Sequence, residues 1–172
     1  MSLPEATLPD VIATERLRLP LWTVEEAADI LDGRHRPGWH RDYPRQDDRD
    51  AATMYRAGDS WAPRHVVRGT TALGSLGFYG PPEEAADGVP EVEVGYGLVE
   101  EARGWGFATE ALRGVLVETD RAGVRVRASV EPTNRVSVRV LAKCGFTDLR
   151  GSNEDGHLVM ARPLPVPGGH GG

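Results

Sequence analysis

An arginine and two glycines stand directly before the strongest helical pattern in the chain. The segment is Arg103-Gly104-Trp105-Gly106, and the residues after it carry apolar side chains at helical spacing. Glycine lets a backbone approach a ligand with no Cβ in between, and the first turn of a helix offers N–H groups that no helical carbonyl accepts. A phosphate gains about 0.3–1 kcal/mol from the dipole of an exposed helix end, in addition to those donors. The segment therefore predicts a site for a phosphorylated ligand.

Three phosphate-binding patterns compete for this segment. A Walker A loop requires a lysine after its last glycine, and none follows here. The dinucleotide fingerprint is nearly met by Gly104, Gly106 and Thr109, but it needs an acidic residue about 20 positions later at the end of a second strand. The candidate acid, Asp120, comes too soon after the glycines and lies at the end of the predicted helix. The third pattern, Arg-x-x-Gly-x-Ala, is satisfied by Arg103, Gly106 and Ala108.

The elements around this segment predict one domain of mixed class. Apolar periodicity indicates strands near residues 15–22, 61–67, 71–80, 92–98, 124–131 and 157–164, and helices that begin after Thr23, within 47–58, at Phe107 and near Asn134. Successive strands pair antiparallel, whereas helical crossovers allow parallel neighbours. The predicted fold class is α/β (mixed α+β), with a central, mostly antiparallel mixed sheet flanked by helices. We expect a flexible lead at 1–10, the domain at 11–164 and a flexible Pro/Gly-rich tail at 165–172.

Composition narrows the possible partners. The net charge of −6 repels polyanions, so nucleic acids and anionic lipid surfaces are not expected as ligands. No apolar run approaches the roughly 20 residues that span a bilayer, and the N-terminus lacks the basic and apolar regions of a signal peptide. A single cysteine excludes an internal disulfide. The predicted location is the cytoplasm.

The ordered motifs resemble the GNAT superfamily of acyl-CoA-dependent N-acyltransferases, in particular its ribosomal-protein N-terminal acetyltransferase (RimJ/RimL-like) branch. The likeness is specific from 91 to 146, where "VEVGYGL", the Arg-Gly-x-Gly-x-Ala turn and Asn-x-x-Ser ahead of Gly-Phe follow one another. It implies acetyl-CoA as acyl donor, no metal, and a strand before the turn that splays from its parallel neighbour. The residues that it assigns to coenzyme A are Leu98, Val99, Arg103, Gly104, Trp105, Gly106, Phe107, Ala108, Thr109 and Asn134.

The resemblance also implies a reaction, direct attack of a primary amine on the thioester in a ternary complex. An amine with a lysine-like pKa of about 10.4 is almost wholly protonated at neutral pH, so a base is needed. Glu93 occupies the position of the family's catalytic glutamate, and Glu91 lies on the same face of the strand. Leu141 stands where many members carry a tyrosine, so Ser137 is predicted to give the leaving thiolate its proton. Tyr96 is a second candidate donor, although its alternation with Val94 and Leu98 favours a packing residue.

The acceptor is less constrained by the sequence. The family forms its acceptor pocket from the first helices and the loops beside them, which here contain Trp39, Tyr43 and Trp61. A free small amine and a peptide N-terminus both remain open as acceptors. A homodimer is a possible oligomeric state. The alternative function is an acyl-CoA-binding sensor or pseudoenzyme without turnover, which the missing tyrosine allows.

Two other reactive features are predicted to be structural. Cys144 falls on the apolar side of the last helix with no histidine close in sequence, so we expect a core residue rather than a covalent nucleophile. His35 and His40 lack a carboxylate at a ligand-like spacing, so no metal is expected there.

Overall fold

A nine-stranded sheet runs through the computed structural model, which describes residues 6–166. The strands are β1 (Val11–Ala13), β2 (Arg18–Pro20), β3 (Arg64–Arg68), β4 (Thr71–Phe78), β5 (Glu83–Glu84), β6 (Pro90–Leu98), β7 (Arg125–Val130), β8 (Asp148–Ser152) and β9 (Leu158–Arg162). The helices are α1 (Val24–Leu31), α2 (Gln46–Ala52), α3 (Phe107–Arg121) and α4 (Arg135–Lys143), and a 3-10 turn occupies Glu100–Ala102. Residues 1–5 and 167–172, which include most of the predicted flexible tail, lie outside the described part.

The sheet has the order β1-β2-β3-β4-β6-β7-β9-β8, with β5 paired to β6. Every pairing is antiparallel except that of β6 with β7, which is parallel and is reached through α3. A mixed, mostly antiparallel sheet flanked by helices was predicted from the sequence and is confirmed. Within the described residues, no helix is both long and apolar enough to cross a membrane.

The two parallel strands separate partway along their length. Pairing between β6 and β7 covers only 91–93 against 125–127. Beyond that point β6 continues to Leu98 against β4, while β7 continues to Val130 against β9. A gap therefore opens between the strands after Glu93, as the family resemblance predicted.

Local sequence explains the elements around this gap. Thr23 and Glu26 form the predicted capping box at the start of α1. The predicted face of α3 is buried, including Ala111, Leu112 and Val115, and the chain turns at Gly123 with φ +70. These contacts anchor α3 on the sheet, so that its first turn is held at the end of β6.

Three strands were not predicted. β1 and β5 have only three and two residues, too few for a period-2 pattern. All residues of β8 are exposed, so this edge strand has no alternation of buried and exposed positions to detect. Leu8 is also buried, and Ala6 accepts a hydrogen bond from the Trp61 indole at 2.9 Å, so packed structure begins before residue 11.

Candidate active site

The loop between β6 and α3 has the backbone geometry of an open anion site. Gly104 and Gly106 both have positive φ, +84 and +81, and Gly106 is the N-cap of α3. Its position is left-handed, which glycine adopts without strain. No side chain of the described residues caps the first turn of α3, and a Cβ built on Gly104 would meet nothing within 4 Å. The first-turn N–H groups therefore have no side-chain partner among the described residues, and the loop beside them is open at Gly104.

Side chains brace this loop from both sides. Arg103 donates from Nε to the Leu98 carbonyl at 3.2 Å, which ties the loop back to the end of β6. On the other side Arg16 donates to the Trp105 carbonyl at 3.0 Å and pairs with Glu110 at 2.6 Å. The loop conformation is therefore set by contacts that do not require a ligand.

The two aromatic residues of the loop point in different directions. The Trp105 side chain is 64% exposed, whereas Phe107 is buried at 3%. The guanidinium groups of Arg16 and Arg68 lie 4.6 and 4.9 Å from the centre of the Phe107 ring. Phe107 thus fixes the start of α3, and only its backbone N–H can meet a ligand.

Backbone groups of β6 line the gap beyond Glu93. Val99 donates to the Leu73 carbonyl of β4 at 2.8 Å, so its N–H points away from the gap. Because backbone groups alternate sides along a strand, Leu98 and Tyr96 direct theirs toward the gap. Of the two predicted backbone partners of pantetheine, Leu98 alone has this orientation.

Asn134 and Ser137 meet across the first turn of α4. The Asn134 side chain caps the helix by accepting from the Ser137 N–H at 3.2 Å. Asn134 is exposed and Ser137 half-buried. The amide oxygen of Asn134 thus caps α4, and its N–H₂ group has no partner among the described residues and can donate to a ligand.

Glu91 is held by arginines rather than poised as a base. It is buried and pairs with Arg125 at 2.5 Å, Arg127 at 3.0 Å and Arg150 at 2.7 Å. Burial opposes its ionisation, but these hydrogen bonds outweigh burial and lower its pKa to about 2. A carboxylate with that pKa accepts a proton poorly at neutral pH, so Glu91 has a structural role.

Glu93 is the more accessible carboxylate of the pair. Its side chain is 23% exposed, and Oε1 accepts from Arg127 Nε and Ser129 Oγ, both at 3.3 Å. These bonds leave Oε2 without a partner among the described residues. Glu93 thus keeps one oxygen available where the strands part.

A cavity of 280 Å³ lies on the same face of β6, between the sheet and α2. Ser75, Gly77 and Gly95 form part of its floor, with Gly77 paired to Gly95 across the strands. Its walls carry the side chains of Asp47, Asp50, Met54, Trp61, Phe78 and Tyr79. The cavity therefore combines carboxylates with aromatic and apolar surfaces.

The Tyr79 phenol connects this cavity to Glu93. Burial raises its pKa, and the negative charges of Glu93, Asp47 and Asp50 raise it further. The phenol packs over Gly95, where an added Cβ would lie 2.6 Å from its oxygen. The phenol of Tyr79 thus lies within the electrostatic influence of three carboxylates.

A buried ion pair fixes the inner wall of the cavity. Asp48 is fully buried, accepts from Arg45 Nη2 at 3.0 Å and Nε at 3.1 Å, and also accepts from the Ser75 hydroxyl. The Arg45 guanidinium lies flat over Gly97, where no side chain would fit beneath it. The arginine charge is therefore largely neutralised by Asp48.

Two predicted acceptor residues lie elsewhere. Trp39 and Tyr43 are buried and pack edge to face at 5.2 Å, and the Tyr43 hydroxyl bonds His65 Nδ1 at 2.8 Å. Both pack against His65 in the core and neither lines the cavity, so the prediction of both as acceptor contacts is wrong. Trp61 does line the cavity, packed against Phe78 at 5.0 Å.

The residues that sequence reasoning missed are on α2 and in the turn that follows it. Asp47, Asp50 and Met54 are spaced like one face of a helix, and that spacing was available in the sequence as a sign of a shared surface. Arg45 and Ser75 had no such signal, because their partner Asp48 brings together two distant segments.

The remaining reactive side chains have structural surroundings. Cys144 is buried as predicted, which raises the pKa of its thiol, and Sγ lies 3.8 Å from the Thr109 carbonyl. His40 pairs with Glu101 at 2.7 Å, and His35 bonds the Trp39 carbonyl at 3.0 Å. Over residues 6–166, no three metal-ligating side chains converge.

Comparison with known proteins gives a family match. The model of the acetyltransferase (GNAT) domain matches residues 16–147. No curated protein sequence matches the chain. The fold is similar to an acetyltransferase from Agrobacterium tumefaciens, with a TM-score of 0.63 and 22% identity over 95% of this chain and 96% of that one.

Two structures from the predicted branch are also similar in fold. One is RimL, a ribosomal alpha-N-protein acetyltransferase in complex with coenzyme A, with a TM-score of 0.63 and 18% identity over 90% of this chain and 98% of that one. The other is Mycobacterium smegmatis RimJ in complex with CoA-disulfide, with a TM-score of 0.60 and 22% identity over 89% and 87%. At these identities the likeness concerns the fold.

Proposed function

This chain belongs to the GNAT acetyltransferase family, and on that premise we propose that it transfers the acetyl group of acetyl-CoA to a primary amine by direct attack in a ternary complex. The observation that carries the proposal is the position of two open sites at one strand. The glycine loop and the gap flank the end of β6 on one side, and the cavity borders the same strand at Gly95 and Tyr96.

The loop is suited to the diphosphate of coenzyme A. The first-turn N–H groups of α3, from Phe107 to Thr109, provide donors together with the helix dipole. Arg103 adds a positive charge that no carboxylate of the described residues neutralises. These features supply local attraction for a polyanion in a chain whose net charge is −6. The pantetheine arm would follow the gap past Leu98 to Ser137.

Glu93 is the group best suited to take the proton of the attacking amine. It lies where the strands separate, two residues before Gly95 at the cavity floor, and its charge raises the pKa of Tyr79, which lines the cavity. Proton removal by a positioned base contributes about 10²–10⁴-fold to a rate. Glu91, fixed by its three arginines, is not available for this step.

The cavity favours a small cationic amine over an anionic acceptor. Asp47 and Asp50 are exposed at its rim, whereas the two lining arginines are paired, Arg45 with Asp48 and Arg56 with Asp59. Aromatic faces such as Trp61 and Tyr79 attract ammonium groups as well as apolar chains. RimL acts on a protein N-terminus, so a peptide amine is the second acceptor class to test.

Thiol release with an amine panel tests the proposal. Acetyl-CoA is mixed with the protein and 1,4-diaminobutane, phenethylamine or a short peptide with a free N-terminus, and mass spectrometry identifies the acetylated product. We expect turnover with at least one amine. Calorimetric binding of coenzyme A without thiol release from any acceptor would support the sensor alternative, and absence of binding would refute the proposal.

A further inference from the structure

One buried hydroxyl at this site has no partner. The Tyr96 Oη is shielded from solvent and makes no hydrogen bond to any described residue. Buried polar groups are almost always paired, so an orphan requires an explanation. Leaving such a group unsatisfied destabilises the folded protein, and exceptions of this kind are expected at functional sites.

The position of this hydroxyl is informative. Tyr96 lines the cavity, and its strand segment lies beyond the point where β6 leaves β7. The phenol reaches α4, where Ser137 and Cys144 are its polar neighbours. Ser137 lies beside the phenol but completes no hydrogen bond with it. Since side chains alternate along a strand, the Tyr96 phenol lies on the face of β6 opposite Gly95, and its hydroxyl is on the α4 side of the gap.

We propose that Tyr96 is a catalytic residue whose hydroxyl donates a hydrogen bond to the thioester sulfur as the carbon–sulfur bond breaks. This inference rests on the proposed function, because it places the sulfur beside Ser137. The unpaired hydroxyl is then the partner of an atom that arrives with the substrate. A strand supplies the donor, while Leu141 of α4 is buried and apolar.

The chemistry balances with the residues present. The amine nitrogen forms a bond to the carbonyl carbon, the carbon–sulfur bond breaks, and its electron pair leaves on sulfur. Glu93 receives the proton that the amine loses, and solvent returns one proton to the thiolate. Burial raises the pKa of Tyr96 to about 12, well above the roughly 8.5 of a thiol. The phenol therefore keeps its proton and acts as a hydrogen-bond donor.

Tyr96→Phe separates this role from a structural one. Because the hydroxyl has no partner in the free protein, its removal should leave the melting temperature unchanged or raise it. Loss of one donor to developing negative charge lowers kcat by about 10–100-fold, somewhat less than for an oxyanion donor. We expect kcat to fall in that range and the Kd of coenzyme A, measured by calorimetry, to stay within about threefold.

Tyr55→Phe is the matched control. The Tyr55 hydroxyl donates to the Trp22 carbonyl at 3.2 Å and lies outside the site. This variant should lose some thermal stability and keep its kcat, the opposite of Tyr96→Phe. Thiol release is measured with the amine that the panel identifies and, without amine, as hydrolysis of acetyl-CoA.

Either of two results would overturn the role of Tyr96. In the first, Tyr96→Phe keeps wild-type kcat while the wild type turns over, which leaves the proposed function intact. In the second, kcat falls together with the melting temperature and the affinity for coenzyme A, which indicates a packing residue. A wild type that breaks no thioester at all refutes the proposed function itself, and this inference with it.

Discussion

The two halves of strand β6 differ in how completely their polar groups are paired. In the first half, Glu91 is buried against three arginines, and the strand pairs with neighbours on both sides. In the second half the strand has left β7, glycines replace side chains at two positions, and the Tyr96 hydroxyl is unpaired. We call the first half of β6 and its ion-pair partners the closed region. The open region is the second half of β6 with the gap, the loop at Gly104 and the adjoining cavity.

This difference separates structural residues from candidate functional ones better than residue type does. Glu91 and Glu93 are the same amino acid on the same face, yet only Glu93 retains an oxygen without a partner among the described residues. Natural proteins leave groups unsatisfied mainly where function requires it. Substitution of Glu91 should therefore change stability, and substitution of Glu93 should change activity.

Glu93→Gln should have the largest effect, and the effect should be on activity. We expect kcat to fall by about 10²–10⁴-fold, because an amide cannot take the proton of the amine. Stability should change little, since the amide oxygen can still accept from Arg127 and Ser129. Steady-state kinetics and thermal unfolding measure the two. A kcat within about threefold of wild type would remove Glu93 as the base.

Glu91→Gln should show the opposite pattern. Removing one partner from a buried ion pair costs about 3–5 kcal/mol, and we expect the lower end because Arg127 and Arg150 are 37% and 30% exposed. Urea unfolding measures the free energy of unfolding. Glu154→Gln, at an exposed position, is the control and should be neutral. A fully stable variant with lost activity would reverse the assignment of the two glutamates.

The pH dependence of Glu91→Gln follows from its pKa. The folded-state pKa is about 2 against an ordinary 4.5. A lowered pKa stabilises the protein fully above the unfolded value, and this stabilisation is lost as pH falls from 4.5 toward 2. The stability difference between wild type and variant should therefore be full at pH 7 and shrink below about pH 4.5.

Much of the open region was predictable from the sequence, because its signals are local. Gly104 and Gly106 next to a strong helical pattern indicate the loop, and Thr23 with Glu26 indicates the start of α1. The splay of β6 came from the family resemblance. These features depend on residues that are near one another in the chain.

The closed region was not predictable, because its partners come from distant strands. Alternation places Glu91 on a face of β6 but does not say that Arg150 faces it, and the strand of Arg150, β8, has no buried position to signal it. The prediction that Trp39 and Tyr43 contact the acceptor was wrong for the same reason. Their aromatic segment suggested a pocket, whereas tertiary packing around His65 makes it core.

Gly104→Ala should affect the open region more moderately. Its φ of +84 makes any side chain strained, and the new Cβ would project into the space proposed for the diphosphate. We expect the Kd of coenzyme A, measured by calorimetry, to rise about tenfold. Gly156→Ala is the control, since Gly156 has a φ of +78 and open space around its Cβ far from the loop. Equal affinity in the two variants would argue against a diphosphate at Gly104.

The smallest effect is expected at the rim of the cavity, in the double variant Asp47→Asn with Asp50→Asn. Both side chains are solvent-exposed, so each contributes only about 0.2–1 kcal/mol to attraction of a cation, and salt screens that contribution. We expect the KM for 1,4-diaminobutane to rise about three- to tenfold with kcat unchanged, and the KM for phenethylamine to rise less, because it has one charge. Raising the salt concentration should raise the KM of the wild type for 1,4-diaminobutane toward that of the variant, and should leave the KM of the variant unchanged. If both amines respond equally, the carboxylates do not select the acceptor by charge, and the open region would depend on β6 alone.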